Sequence, residues 1–216
     1  MEIVYQDRRI VVAVKPSGVL STDEPGGAPE LLRAQLGTEC IRTVHRLDAQ
    51  VAGLMVFARS ARAASILSEQ VRERRFGKEY LAVVHGMLPA EGRMQDFLLR
   101  DRRDGMTRVA EAGTPGAKEA RLSYRVLARI DGKTLVRVAL ETGRTHQIRV
   151  QFSARGHALL GDRKYGRGEA GGIALWSCRI GLFHPESGMW MTFSHAPNGI
   201  PQFSDFEDCF SNAADV

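Results

Sequence analysis

Asp131-Gly132 sits between two apolar runs, Leu122–Ile130 and Leu135–Leu140. That dipeptide favours positive φ at both central positions of a tight turn, so it joins neighbouring antiparallel strands. A chain with such a hairpin near its middle must build an antiparallel sheet around it. Other stretches agree. Val4-Tyr5, Gln6-Asp7-Arg8 and Ile10–Val14 read as strand, turn and strand, closed by Lys15-Pro16-Ser17-Gly18. Leu54–Ala58 is a continuous apolar run with the length of a buried strand. Tyr80–His85, Ile173–Cys178 and Met189–Ser194 are further expected strands.

Helices are fewer. Glu30–Leu36 predicts a short one with Gly37 just past its end. Ser60 is the expected N-cap of a second, with Ala64, Leu67 and Val71 at helical spacing and an end near Arg74. Thr145–Ala154 predicts a third, stopped by Gly156. Residues 23–29 read as a surface loop, and Gly105–Lys118 as an exposed loop or irregular edge. Strand-rich stretches with a few helices argue for an α+β fold with a mixed, mainly antiparallel sheet core and flanking helices, not for alternating βαβ units.

The 216 residues contain no repeat and no long linker, so one domain over 1–216 is expected, as a monomer. No apolar run reaches membrane-spanning length, and Met1–Asp7 reads as a first strand, not a signal peptide. Three scattered cysteines, Cys40, Cys178 and Cys209, suggest neither disulfides nor a metal site and fit a reducing, cytoplasmic setting. Lys plus Arg exceed Asp plus Glu by 30 to 25. The excess is modest, but Arg59, Arg62, Arg72, Arg74, Arg75 and Lys78 crowd one region, which agrees with a polyanionic partner. Trp176 and Trp190 are expected in the core.

Four short motifs point to chemistry. His45-Arg46-Leu47-Asp48 is followed by Ala49-Gln50-Val51-Ala52-Gly53 and the apolar strand. This presents Asp48 on a loop at the mouth of a sheet, where functional groups are often displayed. Lys78-Glu79-Tyr80 precedes a strand, Gly143–Arg149 reads Gly-Arg-Thr-His-Gln-Ile-Arg, and Gly161–Gly166 reads Gly-Asp-Arg-Lys-Tyr-Gly. In this order, and with the opening Lys15-Pro16-Ser17-Gly18, they resemble the RluA-type RNA pseudouridine synthases over almost the whole chain. The chain resembles the short members, without a separate N-terminal RNA-binding domain.

The resemblance implies a fold with a central RNA-binding cleft and isomerisation of uridine in ribosomal or transfer RNA stem-loops, with neither cofactor nor metal. It implies that Asp48 is the nucleophile, toward ribose or base, and that Arg149 holds its carboxylate ionised. Tyr80 is implied to stack on the uracil, its hydroxyl helping to remove the C5 proton directly or through water. Arg46 is implied to extrude the base or fill the gap it leaves, against a plain phosphate contact. Ile148 walls the uracil or is helix core. His45, Arg144, His146 and Gln147 support loops or touch phosphate. An RNA-binding protein that has lost the chemistry is the alternative, against which the intact Asp48, Tyr80 and Arg149 count. Two departures from the family pattern, Val51-Ala52 and Gln151, adjoin these residues.

Overall fold

The computed structural model describes residues 1–169 and 171–210. Its backbone divides into two compact units. One comprises Met1–Lys78 and Trp176–Ala196, and the other Glu79–Leu175 and, among the described residues, 197–210.

In the first unit, β1 (Glu2–Gln6) and β2 (Ile10–Lys15) form an antiparallel hairpin. Asp7 builds its turn, with Oδ1 accepting the N–H groups of Arg9 and Ile10 at 2.7 and 2.8 Å. β2 pairs antiparallel with β4 (Ala52–Ala58), and the two-residue β3 (Arg42–Thr43) pairs with the far end of β4. β10 (Leu175–Phe183) meets β4 in parallel at Trp176 and Ser177, and β11 (Trp190–Ser194) returns antiparallel beside it. Helix α1 (Ala28–Leu36) closes on Gly37 in the left-handed region, and α2 (Ala61–Arg72) is capped by the Ser60 hydroxyl. The α2 residues Ala63 and Leu67 pack with Ile10, Val12, Leu54, Val56, Ile180 and Leu182 in one core.

The second unit orders its strands β5-β9-β8-β6-β7, each antiparallel to its neighbour. These are β5 (Gly77–His85, from Glu79 onward), β6 (Glu91–Arg100), β7 (Thr107–Ala110), β8 (Lys118–Ile130) and β9 (Lys133–Leu140). Asp131 and Gly132 both take positive φ, 48° and 72°, so the expected hairpin joins β8 to β9. Along β8, Ala120, Leu122 and Tyr124 are buried while alternate residues face outward, the period of a sheet with one covered face. Helix α3 (Gln147–Ser153) covers that face, with Val150 packed on Leu98 and Ala120, and Phe152 on Tyr124. A 3-10 helix spans Pro201–Phe210 and buries Phe203, Phe206 and Phe210.

The strands pair mostly antiparallel, with the parallel β4–β10 contact making the arrangement mixed, and the fold is α+β. Several boundaries differ from the sequence expectation. α1 starts two residues early because Pro29 suits a first helical turn. β6 was not expected at all, and β7 lies inside the stretch read as an exposed loop or irregular edge. Trp176 is buried, but Trp190 is 50% exposed. It lies edge-on to Phe183 on the outer strand β11, against Gly181, which leaves one face of the indole in solvent.

Candidate active site

In the first unit, the loop between β3 and β4 carries His45-Arg46-Leu47-Asp48. Its residues alternate inward and outward. His45 is buried against Phe76, and its Nε2 accepts the Val56 N–H at 3.0 Å. Burial, helped by the nearby Lys78 charge, pushes its pKa down to about 3, so the ring stays neutral. Leu47 is buried too, and the Ser21 hydroxyl holds its backbone twice, accepting from its N–H at 3.0 Å and donating to its carbonyl at 2.7 Å. Arg46 is left exposed and Asp48 half-buried. These contacts make His45 a support of the loop.

Lys15 fixes the other side of Asp48. Its side chain is fully buried, and Nζ donates to the carbonyls of Pro16 and Val19, each at 2.8 Å, and of Ala49 at 3.1 Å. Burial lowers its pKa to about 8, against which the Asp48 charge acts to retain the proton. The loop enters β4 through Val51, whose N–H donates to the Asp48 carbonyl, and Gly53. Gly53 has φ 116°, and a Cβ there would lie 2.4 Å from the Ser177 carbonyl oxygen, so only glycine fits. The departures Val51 and Ala52 thus belong to the loop's seam with the sheet.

In the second unit, Tyr80 lies on β5 opposite Val138 and is 6% exposed. Arg149 lies on α3, buried, with Nε and Nη2 donating to the two carboxylate oxygens of Asp162 at 2.8 and 2.7 Å. Burial alone would push the Asp162 carboxyl up. The Arg149 guanidinium, with the N–H groups of Lys164 and Tyr165, overcomes that and holds it below the usual carboxylate range. The guanidinium carbon sits 5.1 Å from the centre of the Tyr165 ring. Its plane is therefore set by an ion pair and an aromatic ring together.

His146, with φ 55°, precedes α3, and its Nδ1 lies 2.7 Å from the Tyr165 hydroxyl. The Thr107 N–H donates to that hydroxyl, which leaves its proton for Nδ1. Gln147 is buried, its Oε1 accepting from the Thr142 hydroxyl and the Arg144 N–H, and its Nε2 donating to the Arg121 carbonyl. Arg144 Nε donates to the Glu119 carbonyl at 2.8 Å. Ile148 is 4% exposed. The departure Gln151 is buried and donates to Asp96 at 2.6 Å. Among the described residues no group of three or more His, Cys, Asp or Glu could hold a metal ion, and no helix is long and apolar enough to cross a membrane.

Sequence reasoning named the acidic, aromatic and basic groups but missed their holders, Lys15, Asp162 and Tyr165. All three lie in motifs that were visible. Their roles depend on burial, which the motifs do not carry.

Comparison with known proteins shows the family of the chain. The family model for RNA pseudouridylate synthase matches residues 9–154. The chain is 38% identical over 206 residues to a dual-specificity RNA pseudouridine synthase RluA of Yersinia pestis, covering 89% of this chain and 97% of the relative. It is 36% identical to the protein of that name from Vibrio vulnificus, covering 86% and 79%. The solved structure of human RNA pseudouridylate synthase domain containing 1 superposes with a TM-score of 0.78 at 25% identity, covering 91% and 83%. The match over most of the chain, in sequence and in fold, places this protein in the RNA pseudouridylate synthase family, among its RluA-type members.

Proposed function

We propose that the chain, as one catalytic domain and a monomer, converts specific uridines in ribosomal or transfer RNA stem-loops to pseudouridine, with Asp48 as the nucleophile. The reaction breaks the N1–C1′ bond, joins C5 to C1′, and moves the C5 proton to solvent while N1 regains one. It is an isomerisation, so the atoms balance without an external reagent. The dual-specificity names of the two bacterial relatives support testing both RNA classes.

The observation that carries the reading is the anchoring of the Asp48 loop. His45 and Leu47 are tied inward, Ala49 is tied to Lys15, and the carboxylate between them is half-buried. A fixed, partly desolvated carboxylate suits a nucleophile that must meet one atom in one geometry. Arg149, itself locked by Asp162 and Tyr165, is the basic catalytic residue. Tyr80 stacks on the flipped uracil and assists removal of the C5 proton, Ile148 walls the base, and Arg46, exposed beside Asp48, fills the gap the base leaves. His45, Arg144 and Gln147 hold the loops that meet the RNA.

The test is tritium release from RNA transcribed with 5-tritiated uridine. Native protein should release tritium from one or both RNA classes, and Asp48→Asn should bind RNA with little change yet release none. Equal release by the two proteins would remove Asp48 from the chemistry.

A further inference from the structure

The outward face of the second unit's sheet holds three arginines that the reaction does not use. Arg125 on β8 stands directly opposite Arg137 on β9, and Arg93 on β6 is one pair along, opposite Ser123. Directly opposed antiparallel residues have Cβ atoms about 4.5–5.5 Å apart, and like charges there repel. Sheets avoid such pairs unless something neutralises them.

Among the described residues, Arg93, Arg125 and Arg137 form no salt bridge and no side-chain hydrogen bond, and the Nε and Nη2 atoms of Arg137 are shielded from water without a partner. Arg121, four residues before Arg125 on the same face, pairs with both Glu119 and Glu141 at 2.8 and 3.1 Å. Glu91 stands opposite Arg125 on β6, yet among the described residues no salt bridge joins it to any of the three arginines. A shielded guanidinium without an acceptor is costly to keep.

The three arginines line a concavity of about 860 Å³, together with Ser123, Glu79, Glu91 and Cys209. Glu79 precedes Tyr80 on β5, and successive strand residues point to opposite faces, so this concavity lies on the side of the sheet away from the Tyr80 side chain. Planar guanidinium forks beside a hydroxyl match the tetrahedral oxygens of a phosphate. The two glutamates keep the net charge low, so a compact dianion seated between Arg125 and Arg137 fits better than a broad polyanionic surface.

We propose that Arg93, Arg125, Arg137 and Ser123 form a phosphate-binding site on the outer face of this sheet, separate from the residues assigned to uridine isomerisation. The phosphate belongs either to the RNA backbone or to a free phosphorylated compound.

The probe is inorganic phosphate, titrated into the full chain at constant ionic strength with chloride as the balancing ion, and read by thermal unfolding. The native chain should show a rise in Tm that begins near Kd and then grows by roughly 3–6 °C for each tenfold excess over Kd. Arg125→Gln, at an exposed position, should lose the rise, and Arg137→Gln should lose it as well. Where Arg137→Gln does not fold, Arg93→Gln takes its place. A second arm measures RNA affinity against salt. If the bound group is an RNA phosphate, Arg125→Gln lowers the slope of log K against log salt by about 0.7–0.9. If it is a free phosphate, that slope stays and only the Tm response is lost. A native chain and an Arg125→Gln variant that match in both phosphate response and salt slope would overturn the proposal.

Discussion

The Lys15 ammonium donates to the carbonyl of Ala49, the residue after Asp48, at 3.1 Å, from a side chain with no exposed surface. The buried lysine gathers three loop carbonyls, of which that of Ala49 also accepts the Gly18 N–H. Lys15→Met keeps the apolar stem and removes the donor. We expect a loss of about 1–3 kcal/mol in urea denaturation and at least a tenfold fall in tritium release at saturating RNA. A variant with native activity would mean that Asp48 holds its place without this tie.

His45 makes stability depend on pH in a predictable direction. Its folded pKa, about 3, lies below the ordinary histidine value because burial and the Lys78 charge disfavour the imidazolium. Above pH 6.5 the ring is neutral both folded and unfolded, and the full stability is present. Below it the unfolded chain takes up a proton that the fold refuses, so stability falls progressively toward pH 3, by an upper bound on the order of 5 kcal/mol. His45→Gln retains an acceptor for the Val56 N–H and does not titrate. Its Tm should fall less than that of the native chain between pH 6.5 and 4. Parallel curves would show that the buried ring contributes nothing to acid sensitivity.

The Arg149–Asp162 pair is buried on both sides, with side-chain exposures of 7% and 0%. Removing one partner of such a pair leaves a charge without its compensation. Asp162→Ala should cost about 3–5 kcal/mol, and Asp162→Asn, which keeps an acceptor, clearly less. Urea denaturation of the two variants side by side checks this. Because the carboxyl is held below its usual range, its contribution is complete above the unfolded carboxylate range and is lost as pH falls through the folded value.

The basic stretch that starts at the last residue of α2 is the surface we expect to meet RNA backbone. Arg72, Arg74 and Arg75 are exposed, but Arg75 already pairs with Glu73 and lies 5.9 Å from the Phe183 ring centre. Replacing all three with Gln should therefore lower the salt slope of RNA binding by about 1.4–1.8, the value of two phosphate contacts and not three. An unchanged slope would place the RNA elsewhere.

What the sequence disclosed follows from how locally each signal is encoded. The β8–β9 hairpin was legible because Asp131-Gly132 specifies its own turn, and β4 because its apolar run has one length and one meaning. β6 was not, because its two buried residues, Met94 and Leu98, stand four apart in a charged string, a spacing that suggests a helix face more than a strand. Asp48, Tyr80 and Arg149 were chosen from motif order. The ion pair that fixes Arg149 spans thirteen residues, and no periodicity reports it. Lys15 read as the close of a strand before a loop, and its complete burial is a property of the assembled unit alone.

Tyr80 separates binding from chemistry most sharply. Its ring is nearly buried on β5 opposite Val138, so Tyr80→Phe preserves packing and the stacking face while removing the hydroxyl. If that hydroxyl helps take the C5 proton, tritium release should fall by about a hundredfold or more, while RNA affinity stays within about threefold. Tyr80→Leu removes the aromatic face as well, and stacking on a base is worth about 1–3 kcal/mol, so its affinity should drop where that of Tyr80→Phe does not. Single-turnover tritium release and filter binding on the same RNA measure the two effects. Normal release by Tyr80→Phe would reduce the residue to a stacking platform and move proton removal to another group. A joint loss of binding and release in Tyr80→Phe would instead make the hydroxyl a structural contact, because a group acting only in the chemical step leaves ground-state affinity alone.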